Sequence, residues 1–264
     1  MKIIRKVGKT KHNIKDLMTQ IEQIIFNCSI AEYPDNWDQK YITQSLLLGL
    51  KGYLDNKTFH LPGDIINTQV KTYALYEFPQ EQKLSQLGIL FNISYHDGTA
   101  IEGGTLLDSH LKDSNKNTFS TIRKDVLKRS TSLSHHSSVL LFDYDSINGM
   151  AFPALPETIL GNYPHSWTNW QPFTNLVAIR SNLVHALNIK HTGLYKVAVP
   201  FSYQLSYRYL YGLDLDFTEN TLNIIKGHKE DKGNPNYIVC VSVSHGKSIH
   251  TRFDINQELY HELE

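Results

Sequence analysis

The sequence predicts an α/β protein in which helices flank a mixed β-sheet, with N-terminal helices and a C-terminal α+β extension. Two amphipathic helical stretches come first, apolar residues then alternate along the chain, and an apolar run at 138–144 follows a further helical stretch. The chain has 264 residues, 41 % of them apolar, which suits one large domain or two small ones. We expect three segments of one globule: a helical segment 1–65, an α/β core 66–147 and an extension 148–264.

Two helices are predicted in the N-terminal segment. Apolar residues recur at helical spacing over 13–27 and again over 41–54. A turn at Tyr33–Asn36 separates the two stretches, and Pro62-Gly63 breaks the chain after the second. The helices are expected to pack on the core.

The core segment is predicted to run strand, hairpin strand, helix, strand. Val70–Phe78 alternates loosely, and Leu87–Tyr95 alternates cleanly, which indicates a half-buried strand. Asp97-Gly98 is a strong hairpin signal and predicts a return strand over 101–107. Helical spacing at 118–133 precedes the apolar run, which is typical of a strand buried within a sheet.

The C-terminal extension begins with a long irregular stretch at 148–173 that is rich in Pro, Asn, Gly and Trp. Two short helices, 180–190 and 202–213, and a strand at 236–244 follow it. Long loops of this kind are often functional. The 148–173 stretch is therefore a candidate contact surface for a protein partner.

Composition narrows the function classes. The formal net charge is +0, so contact with nucleic acid would need a local basic patch. Cys28 and Cys240 lie in apolar contexts and are expected to be reduced, buried thiols. We find neither an apolar run of about 18 residues nor a signal-peptide pattern, and we expect a cytoplasmic protein without membrane contact.

A set of short motifs precedes the helical stretch of the core. These motifs are Gln86-Leu87-Gly88, Tyr95–Gly98 and Gly104–His110. Their order, followed by a helix and a buried strand, is similar to that of the PD-(D/E)xK nuclease superfamily. The resemblance implies a restriction-endonuclease-like mixed sheet core, a DNA or RNA substrate and, if the protein is active, Mg²⁺.

In that superfamily two carboxylates hold the divalent cation through oxygen ligands, and a lysine helps to position or activate water. The resemblance places Asp108 at an acidic position and His110 at the lysine position, whereas Gln86 replaces the first acid. Glu77 and Glu81 are nearby acids that could substitute for it. The resemblance thus implies Asp108, His110 and Glu81 as catalytic residues, and Asp108 and Glu77 as metal ligands.

The helical stretch of the core also carries four basic residues that can contact nucleic-acid phosphates without reading sequence: Arg123, Lys124, Lys128 and Arg129. The favoured function is a nuclease-fold protein of a DNA-transaction or anti-phage defence system, catalytically impaired and binding nucleic acid or a partner. A non-enzymatic protein-binding scaffold subunit and an active metal-dependent DNA nuclease are open alternatives.

Two further pairs of acids have alternative interpretations. A strand over 213–217 would place Asp214 and Asp216 on one face, as in the Asp-x-Asp motifs of primase-polymerase-like nucleotidyltransferases. Asp143 and Asp145 follow the buried apolar run and are predicted to be solvated acids at the end of a strand.

Overall fold

Both predicted N-terminal helices are present, as α1 (Ile14–Ser29) and α2 (Gln39–Leu54). Helix α2 begins two residues before its predicted start because Asp38 caps it, accepting a hydrogen bond from the Tyr41 backbone N–H at 2.9 Å. The computed structural model describes residues 14–61, 64–77, 87–147, 150, 174–229, 234–246 and 253–263.

Nine strands form one mixed sheet. They are β1 (Lys57–Leu61), β2 (Asp64–Leu75), β3 (Leu87–Ser94), β4 (Ala100–Leu111), β5 (Ser138–Ile147), β6 (Thr174–Arg180), β7 (Val199–Pro200), β8 (Tyr237–His245) and β9 (Tyr260–Glu262). Their order is β1-β2-β8-β3-β4-β5-β6-β7, and β9 also pairs with β2. The pairs β3/β8 and β4/β5 are parallel, whereas the remaining pairs are antiparallel. The predicted α/β class with a mixed sheet and flanking helices is confirmed.

All three segments of the chain contribute strands to this sheet. Strand β1 comes from the N-terminal segment, β2 to β5 come almost entirely from the core segment, and β6 to β9 come from the C-terminal segment. Strand β8 lies between β2 and β3, with Tyr237 opposite Leu87 and Ser244 opposite Ser94. The C-terminal segment therefore supplies an interior strand of the same sheet.

Two 3-10 helices, Ile30–Glu32 and Thr192–Val197, and four more α-helices lie within the described residues. The α-helices are α3 (Lys124–Leu133), α4 (Ser181–Leu187), α5 (Phe201–Tyr203) and α6 (Glu219–Lys226). Helix α5 continues as a π-helical stretch, Gln204–Arg208, and a 3-10 turn, Tyr209–Tyr211. We call residues 201–211 the composite helix.

Alternate residues of the strands face two separate helical layers. In β5, Leu140 and Phe142 pack with α1, α2 and the composite helix. Val139 and Leu141 point the other way and pack with α3 and α4. Helix α6 and residues 253–260 cover the rest of that second face. We call these two sides of the sheet the α1 face and the α3 face.

Three local predictions are wrong. Strand β3 is buried on both faces instead of half-buried, because both helical layers cover it. The helix predicted over 118–133 begins at Lys124, because Asp113 accepts hydrogen bonds from Thr118 and Ser120 and holds that stretch in a loop. Residues 213–217 form a turn and an isolated bridge instead of a strand, since Asp214 adopts a left-handed φ of 58°.

The two cysteines are confirmed as buried free thiols. Burial raises the pKa of Cys28 to about 12 and that of Cys240 well above its usual value, so neither forms a thiolate readily. No helix in the described ranges is both long and apolar enough to span a lipid bilayer. The proposed contact loop at 148–173, apart from Met150, lies outside the described residues, as does Glu81.

Candidate functional site

The candidate site lies at the C-terminal end of β4, where polar residues replace apolar ones on the α3 face. Among the described residues, pairing of β4 with β3 extends to Leu107, and pairing with β5 extends to Leu111. Ser109 points to the α1 face, where its side chain lies 3.1 Å from the Thr43 hydroxyl of α2. Asp108 and His110 therefore point together to the α3 face.

Asp108 and His110 form a buried hydrogen-bonded pair that continues to the surface. The Asp108 Oδ2 and His110 Nε2 atoms are 2.8 Å apart, and both side chains are buried. The His110 Nδ1 atom is 2.8 Å from the hydroxyl of Thr121, which is an exposed residue. We call Asp108, His110 and Thr121 the β4 relay.

The chemistry of the β4 relay assigns its protons. An ionised carboxylate only accepts hydrogen bonds, so His110 carries its proton on Nε2 and donates to Asp108. If the imidazole is neutral, Nδ1 is then an acceptor and the Thr121 hydroxyl donates to it, whereas in the imidazolium Nδ1 donates to that hydroxyl. The neutral form has the arrangement of a general base that can take a hydroxyl proton, with a carboxylate to stabilise the resulting imidazolium.

The described residues do not fit the two-carboxylate Mg²⁺ site that the resemblance implies. Glu77 follows β2, and β8 and β3 separate β2 from β4, which is a distance across the sheet of roughly 14 Å. Oxygen ligands lie about 2.0–2.6 Å from such an ion, so this spacing does not bring Glu77 and Asp108 to one metal. No group of three or more His, Cys, Asp or Glu side chains in the described part of the chain is placed to hold a metal.

The predicted basic residues lie directly after the β4 relay. Arg123 immediately precedes α3, and Lys124 and Lys128 are exposed one helical turn apart. Arg129 is half-buried. The Arg123 guanidinium donates two hydrogen bonds to the exposed carboxylate of Asp125, which offsets part of the local charge. The two lysines are thus the cations of this group that project most clearly from α3.

A second polar network, next to the β4 relay on the same face, was not predicted. Lys112 lies 2.9 Å from Asp143 Oδ1 and 3.0 Å from Asp145 Oδ2, and the Tyr195 hydroxyl donates to Asp143 Oδ2 at 2.6 Å. The Lys112 and Asp143 side chains are only 5 % and 4 % exposed. The prediction of a solvated acid is therefore wrong for Asp143 and right for Asp145, which is 70 % exposed. We call these four residues the Lys112 network.

Electrostatics explain why Lys112 tolerates its buried position. Burial alone would lower the pKa of Lys112, but its hydrogen bonds to Asp143 and Asp145 outweigh burial and raise that pKa. The pKa of Tyr195 is raised by burial and by its bond to Asp143, so the phenol stays protonated. One sequence signal could have found this network: Asp108, His110 and Lys112 occupy alternate positions, which share one face of a strand.

The acids of the primase-like interpretation have separate partners. Asp214 accepts hydrogen bonds from Arg208, Gln204 and Arg180. Asp216 accepts from the backbone N–H groups of His135 and Thr218. Burial opposes ionisation of Asp214, yet its bonds to Arg208 hold its pKa well below the usual range. The structure does not place Asp214 and Asp216 on one strand face.

Comparisons with protein families, curated proteins and solved structures found no match to this chain.

Proposed function

We propose that the protein is a nuclease-fold, nucleic-acid-binding protein of a DNA-transaction or defence system that contacts the phosphate backbone beside the β4 relay. One observation carries the proposal: the Asp108–His110 pair reaches the surface at Thr121, three residues before Lys124, the first residue of α3. The Asp108 carboxylate is engaged by His110, the residue at the lysine position of the family motif. That arrangement supports binding without two-carboxylate cleavage.

The physical basis is local charge. Since the formal net charge is +0, attraction to a polyanion depends on where the cations lie. Lys124 and Lys128 are exposed on one side of α3, and Thr121, an exposed residue, lies in the loop just before that helix. Lysine and hydroxyl groups are ordinary contacts to phosphate oxygens, and such contacts position a protein on nucleic acid without reading its sequence.

Fluorescence anisotropy with a short labelled duplex tests this binding. The double variant Lys124→Gln/Lys128→Gln should bind more weakly than the unmodified protein between about 50 and 200 mM salt, and its salt dependence should be shallower by about one unit per lysine. A matched control, Lys40→Gln/Lys57→Gln, removes two exposed lysines from α2 and β1 and should bind like the unmodified protein. Equal affinities for both double variants would contradict the proposal.

A second candidate is a working nuclease with a rewired site, and the β4 relay is the observation that favours it. His110 Nδ1 would take the proton of the Thr121 hydroxyl as that oxygen attacks a phosphodiester phosphorus. The phosphorus–oxygen bond to the departing nucleotide breaks, and the imidazolium returns the proton to that oxygen. Asp108 would stabilise the imidazolium through Nε2. Water would later hydrolyse the threonine–nucleotide phosphodiester, which releases the Thr121 hydroxyl and a nucleotide phosphate.

Cleavage assays on plasmid and single-stranded DNA, with Mg²⁺ or Mn²⁺ and separately with a chelator, separate binding from this chemistry. Cleavage that survives the chelator but is lost in both His110→Ala and Thr121→Val would support the rewired nuclease. Cleavage lost in Asp108→Ala and in chelator would instead restore a metal-dependent enzyme. Binding without any cleavage supports the first candidate.

A further inference from the structure

A cavity of about 330 Å³ opens at the edge of the sheet, away from the β4 relay. Strand β7 pairs only with Val177 and Ala178, so β6 extends beyond its neighbour at Ile179 and Arg180. The cavity occupies the space between this edge, α4 and the composite helix. Its apolar wall consists of Ala178, Ile179, Leu183, Val197 and Val199.

The opposite wall is polar and carries two arginines. Arg208 binds Asp214 with two hydrogen bonds, of 2.7 and 3.0 Å, and Gln204 donates to the same carboxylate at 3.1 Å. Arg180 donates one hydrogen bond to Asp214 from the end of β6. All four residues line the cavity. Asp214 is therefore a single anion held between two cations.

The charges and donors of this wall are not balanced by Asp214. Two guanidinium groups face one carboxylate, which leaves a net positive charge at the cavity. Each guanidinium has five N–H donors, and Asp214 accepts one from Arg180 and two from Arg208. Asp214 is 13 % exposed whereas Arg180 is 47 % exposed, so the anion is enclosed and the cation is accessible.

We propose that this cavity binds a small organic anion that has an apolar body and a carboxylate or phosphate head group. The apolar wall would hold the body, and Arg180 and Arg208 would bind the head group, because a planar guanidinium matches the geometry of both anions. The volume of the cavity is at the small end of the range for ligand sites, which is about 300–1,000 Å³. Asp214 keeps the two guanidinium groups oriented before the ligand arrives. This inference is independent of nucleic-acid binding at α3.

Isothermal titration with octanoate, octyl phosphate, inorganic phosphate and the neutral octanol tests the proposal on the full chain. Octanoate or octyl phosphate should bind at least tenfold more tightly than octanol, and the better of the two identifies the head group. Inorganic phosphate should bind more weakly than octyl phosphate, since it lacks the apolar body. Equal binding of octanol and the anions, or binding of none of the four, would overturn the proposal.

Two variants test whether the anions bind in the cavity. Arg180→Gln should lower the affinity for the anions by roughly 10- to 100-fold, which is the effect expected when a charged hydrogen bond is lost. Leu183→Glu adds a negative charge to the wall and should abolish binding; Leu183 is partly exposed, so the variant should fold. The control Lys71→Gln breaks an exposed Lys–Glu pair outside the cavity and should leave binding unchanged. Unchanged binding in both cavity variants would contradict the assignment.

Discussion

The β4 relay and the Lys112 network lie side by side on the same face of β4, yet they differ in what they offer at their outer end. The Lys112 network ends in Asp145, a carboxylate already paired with lysine. The β4 relay ends in Thr121, whose neutral hydroxyl is hydrogen-bonded to the His110 imidazole. The comparison indicates that the first network holds the ends of β4 and β5 together, whereas the second presents a group that can react or bind.

The largest expected effect comes from breaking the Lys112 network. Lys112→Met leaves the buried Asp143 carboxylate without its cation, and loss of one partner of a buried pair typically costs about 3–5 kcal/mol. Urea unfolding should show this decrease in the free energy of unfolding. The control Lys116→Met, at an exposed position of the same loop, should change stability by less than about 0.5 kcal/mol. A small effect at Lys112 would contradict a structural role.

Glu22, a half-buried acid bonded to hydroxyl groups, contrasts with Asp143, which is paired with a lysine. Glu22 of α1 contacts the hydroxyl groups of Ser202 and Thr174, and burial raises its pKa from 4.5 to about 7. The folded protein thus holds this proton more tightly than the unfolded chain does. Its contribution to stability is full below pH 4.5 and is lost as the pH rises to about 7, by roughly 3 kcal/mol.

Measurement of the free energy of unfolding as a function of pH tests the expected contribution of Glu22. Glu22→Gln should remove the loss of stability between pH 4.5 and about 7, because the amide cannot ionise. The same change at the exposed Glu258 should preserve the profile of the unmodified protein. Identical profiles for Glu22→Gln and the unmodified protein would show that Glu22 does not titrate in this range.

Truncation of His110 should be intermediate in effect. His110→Ala removes the hydrogen-bond donor of the buried Asp108 carboxylate, and an unsatisfied buried acceptor costs about 2 kcal/mol. Thermal and urea unfolding should both report it. His135→Ala, at an exposed position, provides the matched control and should be nearly neutral. If His110→Ala lowered the free energy of unfolding as much as Lys112→Met does, the β4 relay would be as important for stability as the Lys112 network, and the proposed difference between them would be wrong.

The smallest expected effect on stability is at Thr121. Because Thr121 is exposed, Thr121→Val should alter the free energy of unfolding by no more than about 0.5 kcal/mol. It should nevertheless remove the surface end of the β4 relay, so any DNA cleavage that depends on the relay should disappear. A destabilised Thr121→Val would mean that the hydroxyl is a structural group, like that of Tyr195.

Local sequence patterns predicted the helices and the hairpin, but they could not predict which strands distant in sequence pair with each other. Asp97-Gly98 predicted the β3–β4 hairpin, which the structure confirms with Ser94 opposite Ala100. No local pattern could place β8 between β2 and β3, since its neighbours are distant in sequence. The alternation of β3 was misleading because two helical layers bury both of its faces.

The site was predicted only in part for a similar reason. Asp108 and His110 were recognised from a family motif, and the structure brings them into contact. Thr121 was missed because helical spacing assigned it to α3, whereas the hydrogen bonds of Asp113 hold the preceding residues in a loop. Lys112 was overlooked although it shares the strand face of Asp108, because its partners Asp143 and Tyr195 come from other parts of the chain.

Photo-crosslinking to duplex DNA that carries iodouracil tests the central claim most directly, since it reports where nucleic acid lies on the protein. The proposal predicts crosslinked peptides within 118–133, and their loss in Lys124→Gln/Lys128→Gln but not in Lys40→Gln/Lys57→Gln. Crosslinks confined to other parts of the chain, or none under conditions in which anisotropy detects binding, would contradict a nucleic-acid surface beside the β4 relay.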